Sequence, residues 1–324
     1  MKLIQIGLGD FGFGWLKDTL LKREDLEVIG IVDKNSELLS KAMELPRMEK
    51  AMAFTDIKEA LTKLKPDFIL NVTPPGIHKI IDFIAFEHSI PILSEKPIAE
   101  SFEEAWQILE KSIEMKVPIM IAENYRYNDI VRKAKKLILE GVIGKIDSIY
   151  IDFNRKHYMT NYHKDLEHPL LLDVTIHHMD MLRYLTSVEG KTMYARSWTP
   201  KWSWYKGYSS IDLLIDMEEE IKVSYRGSLS SFKNESDWLG DWRIEGEKGI
   251  LKLSNGKINI IKNESETEIK VSNLDDSRSL LLDEFISSLK EDRISESDIK
   301  DNIKTFSIIN AAIISLKSSK IVKI

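Results

Sequence analysis

"IGLGDFGFG", Ile6 to Gly14, is the stretch on which the fold turns. It follows an apolar run, Leu3 to Ile6, and Gly7, Gly9 and Gly12 make the pattern G-x-G-x-x-G ahead of a helical segment. In that setting the first glycine permits a tight turn, the second lets a pyrophosphate approach the backbone, and the third lets helix and strand pack closely. The phosphates would sit on amides at the start of the helix, with Asp10 and Phe11 inside the same loop. Asp33 ends the second apolar run, 21 residues after Gly12, where a carboxylate binds ribose hydroxyls. A glycine turn that serves packing alone is the competing reading. Gly14, an extra glycine in the first helical turn, reads as a close helix-to-sheet contact.

Working outward, short apolar runs alternate with helical segments over the first 122 residues, at Leu3–Ile6, Leu26–Val32, Ala51–Phe54, Phe68–Val72, Ile90–Leu93 and Ile119–Ala122. That alternation signals βαβ units and a doubly wound parallel sheet. Ser101 with Glu104 three residues later is a capping box that starts one of the helices. After Ala122 the texture changes. A helix closes at Gly141, and strand-like runs follow in "IDLLIDM", "IKVSYRG", "DWRIEGE", "GILKLSN" and "KINIIKN". Asn255-Gly256 and Gly246–Gly249 mark hairpin turns. The expectation is α/β, with a dinucleotide-binding domain over 1–122 and an α+β domain over 123–324 built on an open, largely antiparallel sheet. Its outer face is expected to be apolar and covered by a partner, giving a homodimer or homotetramer.

A length of 324 residues suits two cores, and a net charge of -6 with no basic block argues against nucleic acid or an anionic membrane as partner. Zero cysteines exclude disulfides, thiolate metal sites and thiol nucleophiles, and suit a cytoplasmic protein. The opening "MKLIQIGLGDFG" lacks a signal peptide's long apolar core, and "FSIINAAIISL" is short of the roughly 20 residues of a membrane span.

Further candidates fall at strand ends, where ligands of a doubly wound sheet bind. "NVTPPGIH" places Thr73 and Pro74 in an extended loop and His78 in the first turn of a helix, as a structural polar group or a cofactor contact. "SEKP" places Lys96 between Glu95 and a stiffening Pro97, although an ordinary loop of solvated charges reads the same way. "LLDVTIHHMDMLRYL", Leu171 to Leu185, is an amphipathic helix crowded with ionisable groups. Asp173 and His177, four apart, share a face, where the carboxylate can bias the imidazole's proton. A solvated face with one salt bridge is the alternative. His163 and His168 flank a loop without a ligand spacing that matches a metal site, so no metal is expected. Trp198, Trp202 and Trp204 read as interface or loop core, with stacking on sugar faces as the alternative.

Taken together these residues resemble the Gfo/Idh/MocA oxidoreductases. The likeness rests on Gly7–Gly12, Asp33, the "TPP" loop with His78, "EKP" at Glu95–Pro97, "NYRY" at Asn124–Tyr127, "EGVIGKI" at Glu140–Ile146, Asp173 and His177 followed by Asp180, and "WRIEGEKGIL" from Trp242. The resemblance implies a nicotinamide-binding Rossmann domain, an α/β domain whose open sheet forms a subunit interface, and a catalytic set of Lys96, Asp173 and His177. It makes Asn124 a cofactor residue with those of the loops. The expected reaction is hydride exchange at a secondary alcohol or ketone of a sugar, sugar acid or cyclitol, with Arg126, Tyr127, Arg155, His157, Tyr158, Tyr162 and His178 as substrate contacts. A glycosidase using transient hydride transfer and a non-catalytic nucleotide or sugar sensor are the alternatives. Asp33 favours NAD over NADP, because it would repel a 2'-phosphate; Lys34 beside it would partly offset that charge.

Overall fold

The computed structural model describes residues 1–158, 166–233, 235–271 and 276–324, so Tyr162 and His163 lie outside the described residues. The chain divides into two compact units, Met1–Glu123 with Arg278–Ile303, and Asn124–Ser277 with Lys304–Ile324. The late segment 278–303 belongs with the first unit, where sequence pattern had placed it in the second half.

The first unit is a six-stranded sheet in the order β3-β2-β1-β4-β5-β6. Its strands are β1 (Lys2–Ile6), β2 (Glu27–Val32), β3 (Met52–Phe54), β4 (Phe68–Asn71), β5 (Ile92–Ser94) and β6 (Ile119–Ile121). Every pairing is parallel. Parallel strands are covered on both faces, which is why they read as unbroken apolar runs. Leu3, Ile4, Phe68, Ile69, Leu70, Ile92 and Leu93 are all fully buried. Between the strands run α1 (Asp10–Gly14), continued by a π-turn at Trp15–Thr19, then α2 (Ser36–Met43), α3 (Ile57–Lys63), α4 (Pro75–Glu87) and α5 (Phe102–Met115). Asn35, Asp56 and Ser101 cap α2, α3 and α5 by accepting first-turn N–H groups, and at Ser101 this is the serine half of the expected capping box.

The second unit holds a nine-stranded sheet in the order β14-β13-β12-β11-β7-β10-β9-β8-β15. The strands are β7 (Ile146–Asn154), β8 (Gly190–Trp198), β9 (Ser210–Met217), β10 (Lys222–Ser228), β11 (Asp241–Gly246), β12 (Gly249–Ser254), β13 (Lys257–Lys262), β14 (Ser265–Ile269) and β15 (Val322–Lys323). All neighbours are antiparallel except β7 and β10. α6 (Asp129–Leu139) and α7 (Ile176–Thr186) lie in this unit, and α8 (Ser277–Lys290) is followed by α9 (Ile299–Ser318), which from Lys304 onward also belongs to it. In the first unit α8 sets Phe285 edge-on to Phe68, 5.2 Å between centroids.

The outer face of this sheet corrects one expectation. Period-two alternation turns Ile211, Leu213 and Ile215 inward and Asp212, Leu214 and Asp216 outward. Arg196 pairs with Asp212 at 2.6 Å and Lys222 with Asp216 at 3.0 Å, so the face is a ladder of ion pairs. Tyr194 and Leu214, paired across β8 and β9, and Tyr150 on β7 are exposed apolar side chains within it. Among the described residues no helix is long and apolar enough to cross a membrane.

Candidate active site

In the first unit the three glycines of the loop answer to two different constraints. Gly7 has φ +96°, and a Cβ there would stand 2.5 Å from the Val72 carbonyl oxygen; a Cβ on Gly12 would stand 2.4 Å from the Gly7 oxygen. Both are forced by backbone crowding. Gly9 meets nothing within 4 Å, so its missing side chain leaves the backbone open to a ligand. Gln5 fastens the turn, its Nε2 donating to the oxygens of Gly7 (2.9 Å) and Gly12 (2.7 Å). Asp33 accepts from the backbone N–H of Leu8 at 2.7 Å and of Asn35 at 2.8 Å, which ties the end of β2 to the glycine loop, while Lys34 is exposed beside it. An open Gly9, helical amides after it and a carboxylate at the end of β2 fit a dinucleotide.

The end of β4 is organised by a side chain that sequence reasoning passed over. Buried Asn71 accepts from Thr73 through both N–H (3.2 Å) and Oγ1 (2.7 Å), and donates to Asp82 Oδ1 at 2.9 Å. Burial pushes the Asp82 carboxyl up to about 7. Pro74 stays exposed at the tip. His78 is fully buried, with Nδ1 3.0 Å from the Pro97 oxygen and Nε2 2.7 Å from the Thr73 oxygen. Both nitrogens face carbonyls, and burial holds the ring's pKa below its ordinary value. His78 is thus a clamp between the loops after β4 and β5, and its place at the cofactor is indirect. Glu95 is held from the other side: Oε1 accepts from Trp15 Nε1 at 2.7 Å, and Oε2 accepts from the Lys96 N–H at 3.1 Å. Lys96 itself is half-buried at the end of β5.

In the second unit, "NYRY" forms a 3₁₀ turn, Asn124–Tyr127. Asn124 donates to Ser277 Oγ at 2.9 Å. Arg126 is buried and forms a two-pronged ion pair with Asp180, through Nε at 2.7 Å and through Nη2. Thr305 Oγ1 donates to the same carboxylate at 3.2 Å. Tyr127 is 2% exposed and lies under the Arg132 guanidinium at 4.6 Å. Neither presents itself to a substrate, against expectation. The aromatic that matters is Tyr125, whose ring stacks on His177 at 4.1 Å and 12°.

Asp173 is half-buried in a π-turn, Leu171–Thr175, that leads into α7. Such wide turns cluster at functional sites because they re-aim side chains. His177 occupies the first turn of α7. His178 corrects another expectation: it is fully buried, with Nε2 3.0 Å from the Trp238 oxygen and Nδ1 3.1 Å from the Tyr225 hydroxyl. The carbonyl can only accept, so Nε2 carries the proton; Tyr225 then donates to Nδ1 and accepts a hydrogen bond from Thr175 Oγ1 at 3.1 Å. Burial drives this imidazole down to about 4, so it is a neutral packing group.

The remaining candidates lie after β7. Arg155 is half-buried, donates to the Ser236 oxygen at 2.8 Å and lies 4.7 Å over Trp238. His157 stands edge-on to Trp238 at 5.0 Å; burial lowers its pKa, and the Asp173 charge opposes that, which sets the two in one electrostatic neighbourhood. Tyr158 is exposed and stacks on Trp204 at 3.9 Å. Trp204 Nε1 donates to the His157 oxygen and Trp202 Nε1 to the Ser230 oxygen, so both tryptophans fasten loops beside these residues. Among the described residues no group of three or more His, Asp or Glu side chains is gathered as for a metal ion.

Comparison with known proteins agrees with this geometry. Residues 1–123 match the family described as "oxidoreductase family, NAD-binding Rossmann fold", and residues 131–252 match the "GFO/IDH/MocA C-terminal domain". The chain is 28% identical to protein y4oX of Sinorhizobium fredii, over 80% of this chain and 74% of that one. It is 23% identical to D-apiose dehydrogenase of Rhizobium rhizogenes, over 80% of this chain and 79% of that one. Among solved structures, an oxidoreductase from Agrobacterium radiobacter in complex with NAD+, L-tartaric acid and magnesium shares the fold, with a TM-score of 0.92 at 18% identity over 100% of this chain and 98% of that one.

Proposed function

The chain belongs to the Gfo/Idh/MocA family of oxidoreductases, and on that footing we propose that it is an NAD-dependent dehydrogenase or reductase. Its substrate is a secondary alcohol or ketone of a sugar, sugar acid or cyclitol. The observation that carries the reading is a set of acid-base side chains on built supports. Lys96 follows a carboxylate pinned by Trp15, and His177 lies flat against Tyr125 one turn beyond Asp173. The name of D-apiose dehydrogenase among the relatives supports a sugar.

In this proposal the first unit holds the cofactor through Gly7, Gly9, Gly12 and Asp33, and the second recognises the substrate. The bound nicotinamide supplies the hydride acceptor or donor. In oxidation His177 takes the hydroxyl proton, and in reduction it returns it; imidazole is suited to this near neutral pH. Asp173 orients the ring and favours its charged form. Lys96 donates to the reacting oxygen and stabilises charge that grows there. Arg155, His157 and Tyr158 meet substrate hydroxyls. NAD is preferred to NADP because Asp33 accepts from ribose hydroxyls and repels a 2'-phosphate.

A screen of sugars, sugar acids and cyclitols for absorbance at the reduced nicotinamide band, with NAD and with NADP, finds the substrate. His177→Ala should then lower kcat by about 100- to 10,000-fold, and Lys96→Ala by about 100-fold or more, with NADH affinity retained. Wild-type kcat in His177→Ala would remove it as the base. We place the reaction in the cytoplasm, in keeping with zero cysteines. We also propose assembly as a homodimer or homotetramer through the outer face of the open sheet, where Tyr150, Tyr194 and Leu214 are exposed. Light scattering at low and high salt tests this, and a monomer at micromolar concentration in low salt refutes it.

A further inference from the structure

We infer that Arg278 is a cofactor-binding residue, its guanidinium carried on α8 to the glycine loop as the cation for the dinucleotide's pyrophosphate. The inference rests on the NAD-binding reading of Gly7–Gly12 and adds a residue from the far end of the chain. Arg278 lies 5.2 Å over the ring of Phe11 and 5.7 Å over that of Trp15. Gly14 stands on the same side of that helix: a Cβ added there would meet Arg278 Nη1 at 3.8 Å and nothing else within 4 Å. Gly14 therefore does not serve the close helix-to-sheet contact expected from sequence; even a Cβ there would meet the guanidinium only at ordinary van der Waals distance.

Charge gives the arrangement its meaning. A pyrophosphate brings two negative charges, whereas the loop from Gly7 to Gly14 has no basic side chain and carries an acid, Asp10. Helix amides alone offer partial charge. Arg278 adds a full cation one turn along. The guanidinium carbon lies over both rings in a cation-π setting, and the N–H fork of an arginine matches the geometry of phosphate oxygens. Phe11, 52% exposed, gives this cation an apolar bed on the loop itself.

The test is NADH binding by fluorescence titration to wild type, Arg278→Met and Arg278→Gln, with ADP-ribose as competitor and thermal melts as a check on folding. Methionine keeps an apolar chain over Phe11 and Trp15 and removes the charge. Both variants should weaken NADH and ADP-ribose alike by roughly tenfold, the scale of one charge-assisted hydrogen bond, and bind with less dependence on salt. If either folded variant binds both ligands as wild type does, the inference is overturned. Loss confined to NADH also overturns it, by moving Arg278 to the nicotinamide end. Failure of the wild type to bind NADH would instead sink the cofactor reading, and the arginine's role with it.

Discussion

Trp15 Nε1 donates a 2.7 Å hydrogen bond to Glu95 Oε1, joining the helix after the glycine loop to the residue before Lys96. Both partners are buried, Trp15 completely. Trp15→Phe keeps the aromatic bulk and leaves a buried carboxylate oxygen short of a donor. Stability should fall by about 1–3 kcal/mol, the cost of an unmet buried polar group. Chemical denaturation measures this, and kcat should fall with it while the KM for NAD changes little, because Lys96 loses its fixed anchor. A variant as stable and as fast as wild type would show that Trp15 merely fills space.

Asp33 has two roles that one substitution can separate. Its oxygens hold the N–H groups of Leu8 and Asn35, and in the proposed reading its charge meets the cofactor's ribose. Asp33→Asn retains an acceptor and drops the charge. The kcat/KM preference for NAD over NADP should shrink by at least about tenfold, since one unit charge no longer repels the 2'-phosphate. An unchanged ratio in the folded variant would show that selectivity comes from elsewhere.

What could be read from sequence was chemistry that is local along the chain. Gly7, Gly9 and Gly12 declare a loop because their spacing is itself the constraint, and Asp33 follows at a fixed remove. Parallel strands such as β4 announce themselves by burying every residue. β8 escaped because it buries little, Met193 and Ala195 among outward polar groups. Direction of side chains was the harder problem. In "NYRY" a 3₁₀ turn sends Arg126 and Tyr127 inward and lays Tyr125 on His177, and nothing in four residues shows which way that turn faces. His177 and His178 are neighbours on a helix, so they point about 100° apart; both are buried, and only the sheet beneath decides which one packs onto it. Trp15 with Glu95, and Arg278 with Phe11, are encounters between distant residues that no local pattern encodes.

Asp82 makes stability depend on pH in a way one variant can isolate. Its carboxyl is raised from 3.8 to about 7 by burial, so between those values the unfolded chain has lost the proton that the folded chain keeps. The folded state is then favoured fully below pH 3.8 and loses that advantage as pH rises through about 7. Asp82→Asn, neutral at every pH, should match wild type near pH 4 and exceed it above pH 7, by an amount on the order of 4 kcal/mol at roughly 1.4 kcal/mol per unit. His178, lowered to about 4, acts in the opposite sense, removing stability as pH falls below 6.5. It is present in both proteins and cancels in the comparison. Parallel stability-pH curves for the two would mean that Asp82 is ionised in the fold.

Tyr125 lies 4.1 Å from His177 with the rings 12° from parallel, so it fixes the plane in which the imidazole can turn. A stacked pair contributes about 0.5–1.5 kcal/mol beyond its buried area, and a base that rotates away from the substrate oxygen loses the alignment on which proton transfer depends. Tyr125→Phe retains the stacking face and should hold kcat within about threefold of wild type, an allowance of under one kcal/mol. Tyr125→Leu retains apolar bulk and loses the face, and its kcat should fall by about tenfold, the upper end of one stacked pair. NADH affinity should stay the same in both, because neither substitution alters the glycine loop or Asp33, the residues proposed to hold the cofactor. The comparison is steady-state kcat and KM for the oxidised substrate, set beside an NADH titration of each variant. Equal losses in the phenylalanine and leucine variants would assign Tyr125's contribution to its hydroxyl, and wild-type rates in both would leave Asp173 as the group that sets the imidazole.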